Sequence, residues 1–302
     1  LSDLLKLPAE LWLICLICIC CYCAIFPFVG IAKNYFQVKY GLSGTDASNY
    51  ISFYQFASAG ASPIIGFVVD QTGRYTLWLI LASCCFIAIH LLFLLTSIPS
   101  YVLTIIMGLF YSFLVSGLWP SVPFAVPENM CGMAYGIITA LQNAGLATFP
   151  LITGAILDNY TPSTPSNVTT IITNVTTTVL TTMMPTTTTT DAPTTGATTG
   201  ATTTGLPVTT STPANFSFLV GDDDDSGTLP TIEGFKLTEM CFIISAGVSL
   251  LACVLLLIVD KARGGILSAS PARRKELVAA RDEERQALLN TDDVYSPKGD
   301  SA

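Results

Sequence analysis

Long apolar runs separated by short polar breaks dominate the chain. Six of them, at 11–31, 50–69, 76–95, 101–126, 130–157 and 240–259, reach the roughly 20 residues needed to cross a hydrocarbon core about 30 Å thick. The breaks after the second, third and fourth runs are only a few residues long, so neighbouring helices must run antiparallel and pack together. Pro120, Pro123 and Pro150 predict tilted or kinked helices in the fourth and fifth runs. The expected fold is an all-α membrane protein, a bundle of six transmembrane helices. Residues 1–158 should hold the first five spans, 159–239 a disordered Thr-rich loop, 240–259 the last span and 260–302 a tail.

Composition agrees with this class: 51% of residues are hydrophobic and 11% charged, too apolar for a soluble domain of this length. The loop between the fifth and sixth runs, saturated with Thr and Pro, cannot bury enough surface to fold. Its sequons at Asn167, Asn174 and Asn215 predict N-linked glycosylation, and its Thr/Pro content suits O-linked sugars, both added in a secretory lumen. Asn159 also begins a sequon but lies too close to the membrane.

Charge orients the bundle the same way. Six spans put both ends on one side, which holds Lys6, Arg74, Lys261, Arg263, Arg273, Arg274, Lys275, Arg281, Arg285 and Lys298, against Lys33, Lys39 and Lys236 opposite. The positive-inside rule makes the richer side cytosolic and the loop luminal. In the tail, "SPARRKELVAARDEERQALL" predicts a short amphipathic helix. Within it Glu284, Leu288 and Leu289 fit an acidic dileucine signal, which a clathrin adaptor reads for endolysosomal sorting.

The ten cysteines lie in or beside the spans, and "CLICICCYC" has no His, Asp or Glu beside it, so these thiols are expected to pack as small hydrophobes rather than bind metal. No cofactor, nucleic-acid partner or catalytic grouping is expected. The chain opens with "LSDLLKLPAE" rather than Met, with no cleavable signal peptide ahead of the first run. It is expected to be a fragment.

The stretch "GFVVDQTGR", residues 66–74, fills the break between the second and third runs. Gly66 permits close helix approach, Gly73 a tight turn, and Asp70 can face the positive N-terminus of a neighbouring helix. Arg74 can bridge Asp70 to Glu128, closing the cytosolic face as a gate. The form G-x-x-x-D-x-x-G-R in a short link resembles that of the major facilitator superfamily, although Gln71 and Tyr75 replace its usual basic residues. Residues 108–147, "GLFYSFLVSGLWPSVPFAVPENMCGMAYGIITALQNAGLA", with "FPFVG" and "SPIIGFVVDQTG", resemble the C-terminal half of the superfamily's lysosomal dipeptide transporters.

That resemblance implies spans seven to twelve of a twelve-span carrier whose N-terminal half is missing, with the site between the halves near the midplane. Gly132, Ala134, Gly136 and Gly145 should form a face for close packing, and neither they nor the link have an obvious partner among the six spans. The resemblance also implies that the first, second, fourth and fifth spans line the cavity. Polar and aromatic residues in those spans are the candidate short-peptide contacts: Tyr22, Tyr54, Gln55, Tyr111, Ser116, Trp119, Gln142 and Asn143. An amide facing lipid is costly, and a partner or wet cavity relieves that cost.

His90 falls in the third, peripheral span and is expected to pack there. With no charged residue in the middle of any run, facilitated rather than proton-driven transport is expected. The family further implies lysosomal residence and a glycosylated single-span accessory subunit. A six-span mucin-like scaffold or receptor, and a same-fold carrier of a sugar or organic anion, remain open readings.

Overall fold

The first helix is apolar on every side, and the bundle is built around it. The computed structural model describes residues 7–162 and 228–294, the side chains at 282 and 284–294 excepted. Its long helices are α1 (Ala9–Tyr40), α2 (Gly44–Thr72), α3 (Tyr75–Leu95), α4 (Ser100–Leu118), α5 (Cys131–Asn159), α6 (Ile232–Ala262) and α7 (Pro271–Val294). Among the described residues six helical segments, α1 to α6 with the turns continuing α4 and preceding α5, are long and apolar enough to cross a membrane. The sequons at Asn167, Asn174 and Asn215, and the expected disorder around them, lie outside the described residues. Glu284, Leu288 and Leu289 lie on α7, their side chains outside the described set.

α1 touches each of the other five spans. Leu11, Ile14, Ile17, Cys21, Ile25, Phe28 and Phe36 are all buried, as expected of a helix that is hydrophobic all round. Gly41 ends it in the left-handed region (φ 65°), donating its N–H to the Gln37 carbonyl, which glycine does without steric cost. Two residues later the Ser43 hydroxyl caps α2 by accepting the Asp46 N–H at 3.1 Å, satisfying a donor that has no partner within the helix.

Packing between spans relies on small residues and hydroxyls. A Cβ at Gly108 of α4 would sit 2.3 Å from the Tyr54 carbonyl oxygen, so only glycine allows α2 and α4 to approach this closely. Thr104 donates to the Tyr50 carbonyl, and Ser112 to the Ser58 carbonyl, along the same seam. Between α1, α3 and α6, Cys21 Sγ lies 2.9 Å from Ser249 Oγ, which is 3.0 Å from Ser83 Oγ. Such contacts join helices where lipid offers no competing hydrogen bonds.

The fourth span breaks near its prolines. α4 gives way to a 3-10 turn at Trp119–Ser121 and a single turn at Val122–Ala125, with Pro120 and Pro123 in their first positions, where a missing N–H costs nothing. Pro150 stays inside continuous α5. α6 starts at Ile232, earlier than the apolar pattern suggested, so residues 232–239 are helical and continuous with the last apolar run.

After α6 the chain folds back as a strap. The buried Asp260 carboxylate accepts the backbone N–H groups of Leu267 and Ser268, each at 2.9 Å, and the Ser268 hydroxyl. Gly264 and Gly265, both at positive φ, make the reversal. Arg263 pairs with Glu10 at 2.7 Å, joining the end of α6 to the start of α1.

Candidate functional site

Four of the expected contact residues gather into one aromatic cluster drawn from α1, α2, α4 and the turn that continues α4. The Tyr22 and Tyr111 rings meet edge to face at 6.1 Å, and Tyr54 lies 5.7 Å from Tyr111. Phe26 stacks on Tyr22 at 5.3 Å and meets Tyr111 edge-on at 5.8 Å. Trp119 Nε1 donates to the Tyr22 hydroxyl at 3.2 Å, while Tyr135 of α5 donates to the Trp119 carbonyl and stacks on its indole. Gln142 adjoins the cluster through Oε1, which accepts from Cys18 Sγ at 3.7 Å one turn before Tyr22. The Tyr54 hydroxyl is buried without a partner, an unmet polar group that carries a desolvation cost. Phe26 and Tyr135 were not singled out from the sequence, since nothing in their local pattern separates them from ordinary core aromatics.

The remaining candidates lie apart from this cluster. Gln55 and Asn143 are exposed on α2 and α5, and Ser116 is half-buried opposite Gly66, whose hypothetical Cβ lies 3.9 Å from the Ser116 hydroxyl. Gly66 is therefore not where α2 and α4 approach most closely; that place is Gly108. Gly145 packs within the bundle, its hypothetical Cβ 2.9 Å from Ile19 and 3.0 Å from Cys23, and Ala134 is fully buried. Gly132 and Gly136 face open space.

At the link, the structure replaces the expected bridge with a different arrangement. Asp70, Arg74 and Glu128 are all exposed, and among the described residues no ion pair joins them. Gly73 turns at φ 64° with its N–H on the Val69 carbonyl, and Arg74 is also left-handed (φ 52°), which directs its side chain outward. The buried cation here is Arg274 of α7. It donates to the carbonyls of Ile266 and Ala269 and stacks over Tyr75 at 4.2 Å and Phe124 at 4.9 Å. The Arg74 N–H donates to the same Ala269 carbonyl at 3.1 Å. The partner of the link is thus the strap after α6. Spacing along the chain did not reveal it, because Arg274 lies in a charged run that reads as a solvated helix.

Residues 11–222 match the family described as Major Facilitator Superfamily. The chain belongs to the Major Facilitator Superfamily. Lysosomal dipeptide transporter MFSD1 of Bos taurus is 39% identical over 158 residues, covering 52% of this chain and 34% of the relative. The Danio rerio protein of that name shows the same identity and coverage. The Homo sapiens protein is 37% identical over 159 residues, 53% of this chain and 34% of its own length. The match thus spans about a third of these curated relatives.

In this superfamily member the polar positions divide unevenly between helices. Exposed hydroxyls on α2 and α5 turn back onto their own helices, as Ser52 does to the Ser48 carbonyl and Thr148 to the Ala144 carbonyl, which lessens the polarity they present. The apolar runs hold no charged residue at their middles, but one acid lies buried near the start of the last span. Glu239 sits inside α6, fully buried, with Oε2 2.8 Å from Nδ1 of the equally buried His90. The apolar pattern missed it because the hydrophobic run begins only at Met240.

Proposed function

We propose that this chain forms one six-helix half of a membrane carrier that moves short peptides by alternating access, the site lying between it and a second six-helix half. The observation that carries this reading is the cluster of Tyr22, Tyr54, Tyr111 and Trp119 with Gln142 alongside, in a superfamily member similar to proteins named lysosomal dipeptide transporters. Aromatic walls give contact area without demanding one side-chain shape, and a neutral amide can serve both the N–H and C=O of a peptide bond. Gln55, Ser116 and Asn143, outside the cluster, would contribute from surfaces that meet the second half.

Facilitated transport is part of the proposal. Its support is now narrower: Glu239 and His90 lie on α3 and α6, which supply no side chain to the cluster, so a proton held there would not travel with substrate. The basic end of the bundle, where Arg74, Arg263 and Arg274 surround the link and strap, favours a cytosolic position for that end. The link and strap together would form the cytosolic gate, with Gly66, Asp70 and Glu128 bordering it. Residence in the lysosomal membrane rests on the named relatives and on Glu284, Leu288 and Leu289 as an adaptor signal. A luminal loop glycosylated at Asn167, Asn174 and Asn215, and a glycosylated accessory subunit, belong to the same proposal.

The test is dipeptide uptake into proteoliposomes by the full-length carrier. Gln142→Ala and Tyr111→Ala are each expected to cause a several-fold loss, since one lost hydrogen bond is worth about 0.5–1.5 kcal/mol. Unchanged uptake in both variants, with folding intact, would remove the cluster from the site and favour a packing role or a different solute.

A further inference from the structure

Beside the aromatic cluster but distinct from it, α3 and α6 hold two titratable side chains in the bundle interior. His90 and Glu239 are 0% and 1% exposed, with Nδ1 and Oε2 2.8 Å apart. The imidazole is flanked by Phe28, edge-on at 5.3 Å, and by Phe242 at 5.3 Å. The far atoms of both groups, His90 Nε2 and Glu239 Oε1, are buried without a hydrogen-bond partner. We propose that His90 and Glu239 together form a proton-binding site whose occupancy sets how firmly Lys39 ties α1 to α3 at that end of the bundle.

Two features separate this pair from a structural ion pair. The first is its unsaturated hydrogen bonding. Asp260, also buried, has both oxygens engaged by backbone N–H groups and a hydroxyl. Glu239 keeps one oxygen bare, so in the deprotonated state the pair buries a negative charge that His90 satisfies on one side only, an expensive arrangement. One added proton cancels that charge, whether it rests on the imidazole or the carboxyl, and the 2.8 Å hydrogen bond survives either way.

The second feature is what surrounds the pair. From α1 come Tyr35, Lys39 and Tyr40. The Tyr35 hydroxyl donates to the Phe93 carbonyl at 2.7 Å, and Lys39 Nζ donates to that carbonyl and to the Tyr35 hydroxyl at 3.2 Å. The Tyr40 hydroxyl is buried and unpartnered. From α6 itself come Lys236 and Glu233, paired at 2.7 Å and exposed. α5 offers Phe149, stacked on Phe242. Lys39, only half-buried, makes no ion pair with Glu239 among the described residues but attracts the deprotonated carboxylate through space. When a proton cancels that charge, the electrostatic hold on Lys39 weakens, and with it the tie from the end of α1 to Phe93 near the end of α3.

The test spans about pH 5 to pH 8. An infrared difference spectrum of the full-length protein in lipid, taken between those limits, should show a protonated-carboxyl or imidazolium band that Glu239→Gln removes. His90→Gln should shift or remove it too, and serves if the first variant folds poorly. A spectrum unchanged in both variants would overturn the site. Dipeptide exchange at equal pH on both sides reads the coupling: the wild-type profile should flatten to within about twofold in Glu239→Gln across that range. Parallel profiles would overturn the link to Lys39. A preparation that shows the band but moves no dipeptide supports the site and counts against the transport reading on which only this second measurement depends.

Discussion

Two stripes of the bundle share one helical spacing and differ in chemistry. Gly136, Ala140, Asn143 and Ala147 are exposed along α5, and Ile244, Val248, Leu251 and Leu255 are exposed along α6. Both series run i, i+4, i+7, i+11, so each paints one face of its helix. The α6 stripe matches hydrocarbon and needs no partner. The α5 stripe gives lipid little to hold, exposes an amide, and leaves open space at Gly136, features that favour the close approach of another helix or of water. Burial alone would have called both faces unpartnered; the side chains indicate what each is built to touch.

The comparison breaks most readily by filling the small stripe. Ala140→Leu combined with Ala147→Leu should cut transport by the full-length carrier about tenfold or more, since overpacking a close contact costs about 1–3 kcal/mol per site. Ile244→Ala with Leu251→Ala should stay within about twofold. Equal losses at the two stripes, measured as uptake per folded protein, would mean that they face the same surroundings.

A second contrast sets Arg274 against Arg74. Arg274→Ala removes two carbonyl contacts and two ring contacts, and should lower stability by about 2–3 kcal/mol, read as thermal unfolding in detergent. Arg74→Ala, exposed, should change it by no more than about 0.5 kcal/mol. If Arg74 proves the costlier loss, the strap is not what holds the link. A smaller effect than at Arg274 is expected at Asn143→Ala, about 0.5–1.5 kcal/mol of transport activation where the second half offers the amide a partner. Comparison with the same change at Gln142 would show whether the stripe or the cluster makes the polar contact.

The six spans were legible because period and length alone define them, and Gly73 was legible because a reversal within two residues requires a glycine. Helix ends were not. Glu239 reads as loop by hydropathy, yet it sits nearly two turns inside α6, where a histidine from α3 gives it a reason to be buried. Tyr22, Tyr54, Tyr111 and Trp119 could be chosen by residue type and span, but their meeting depends on the closeness of α2 and α4 at Gly108, which sequence spacing does not encode. Gly145 signalled close packing but not its partner, which is α1. Arg274 was hidden for the opposite reason, a buried side chain within a run of charges that looks solvated throughout.

The strap also bears on the order in which the chain can be completed during synthesis. Of these six spans α1 leaves the ribosome before the others, yet its deepest neighbours are on α6, the last of the six to emerge, and the Gly73–Arg74 turn receives Ala269 and Arg274 later still. Domains ordinarily settle from the N-terminus onward as they are made. Here α1 must wait for α6 beside the insertion machinery with Cys21, Phe28 and Tyr35 uncovered, and the link stays unfinished until the tail reaches it. A ribosome stalled before Pro271 would therefore leave these six helices inserted beside an open turn, a state that quality-control factors could tell from the finished bundle by the missing arginine between Tyr75 and Phe124.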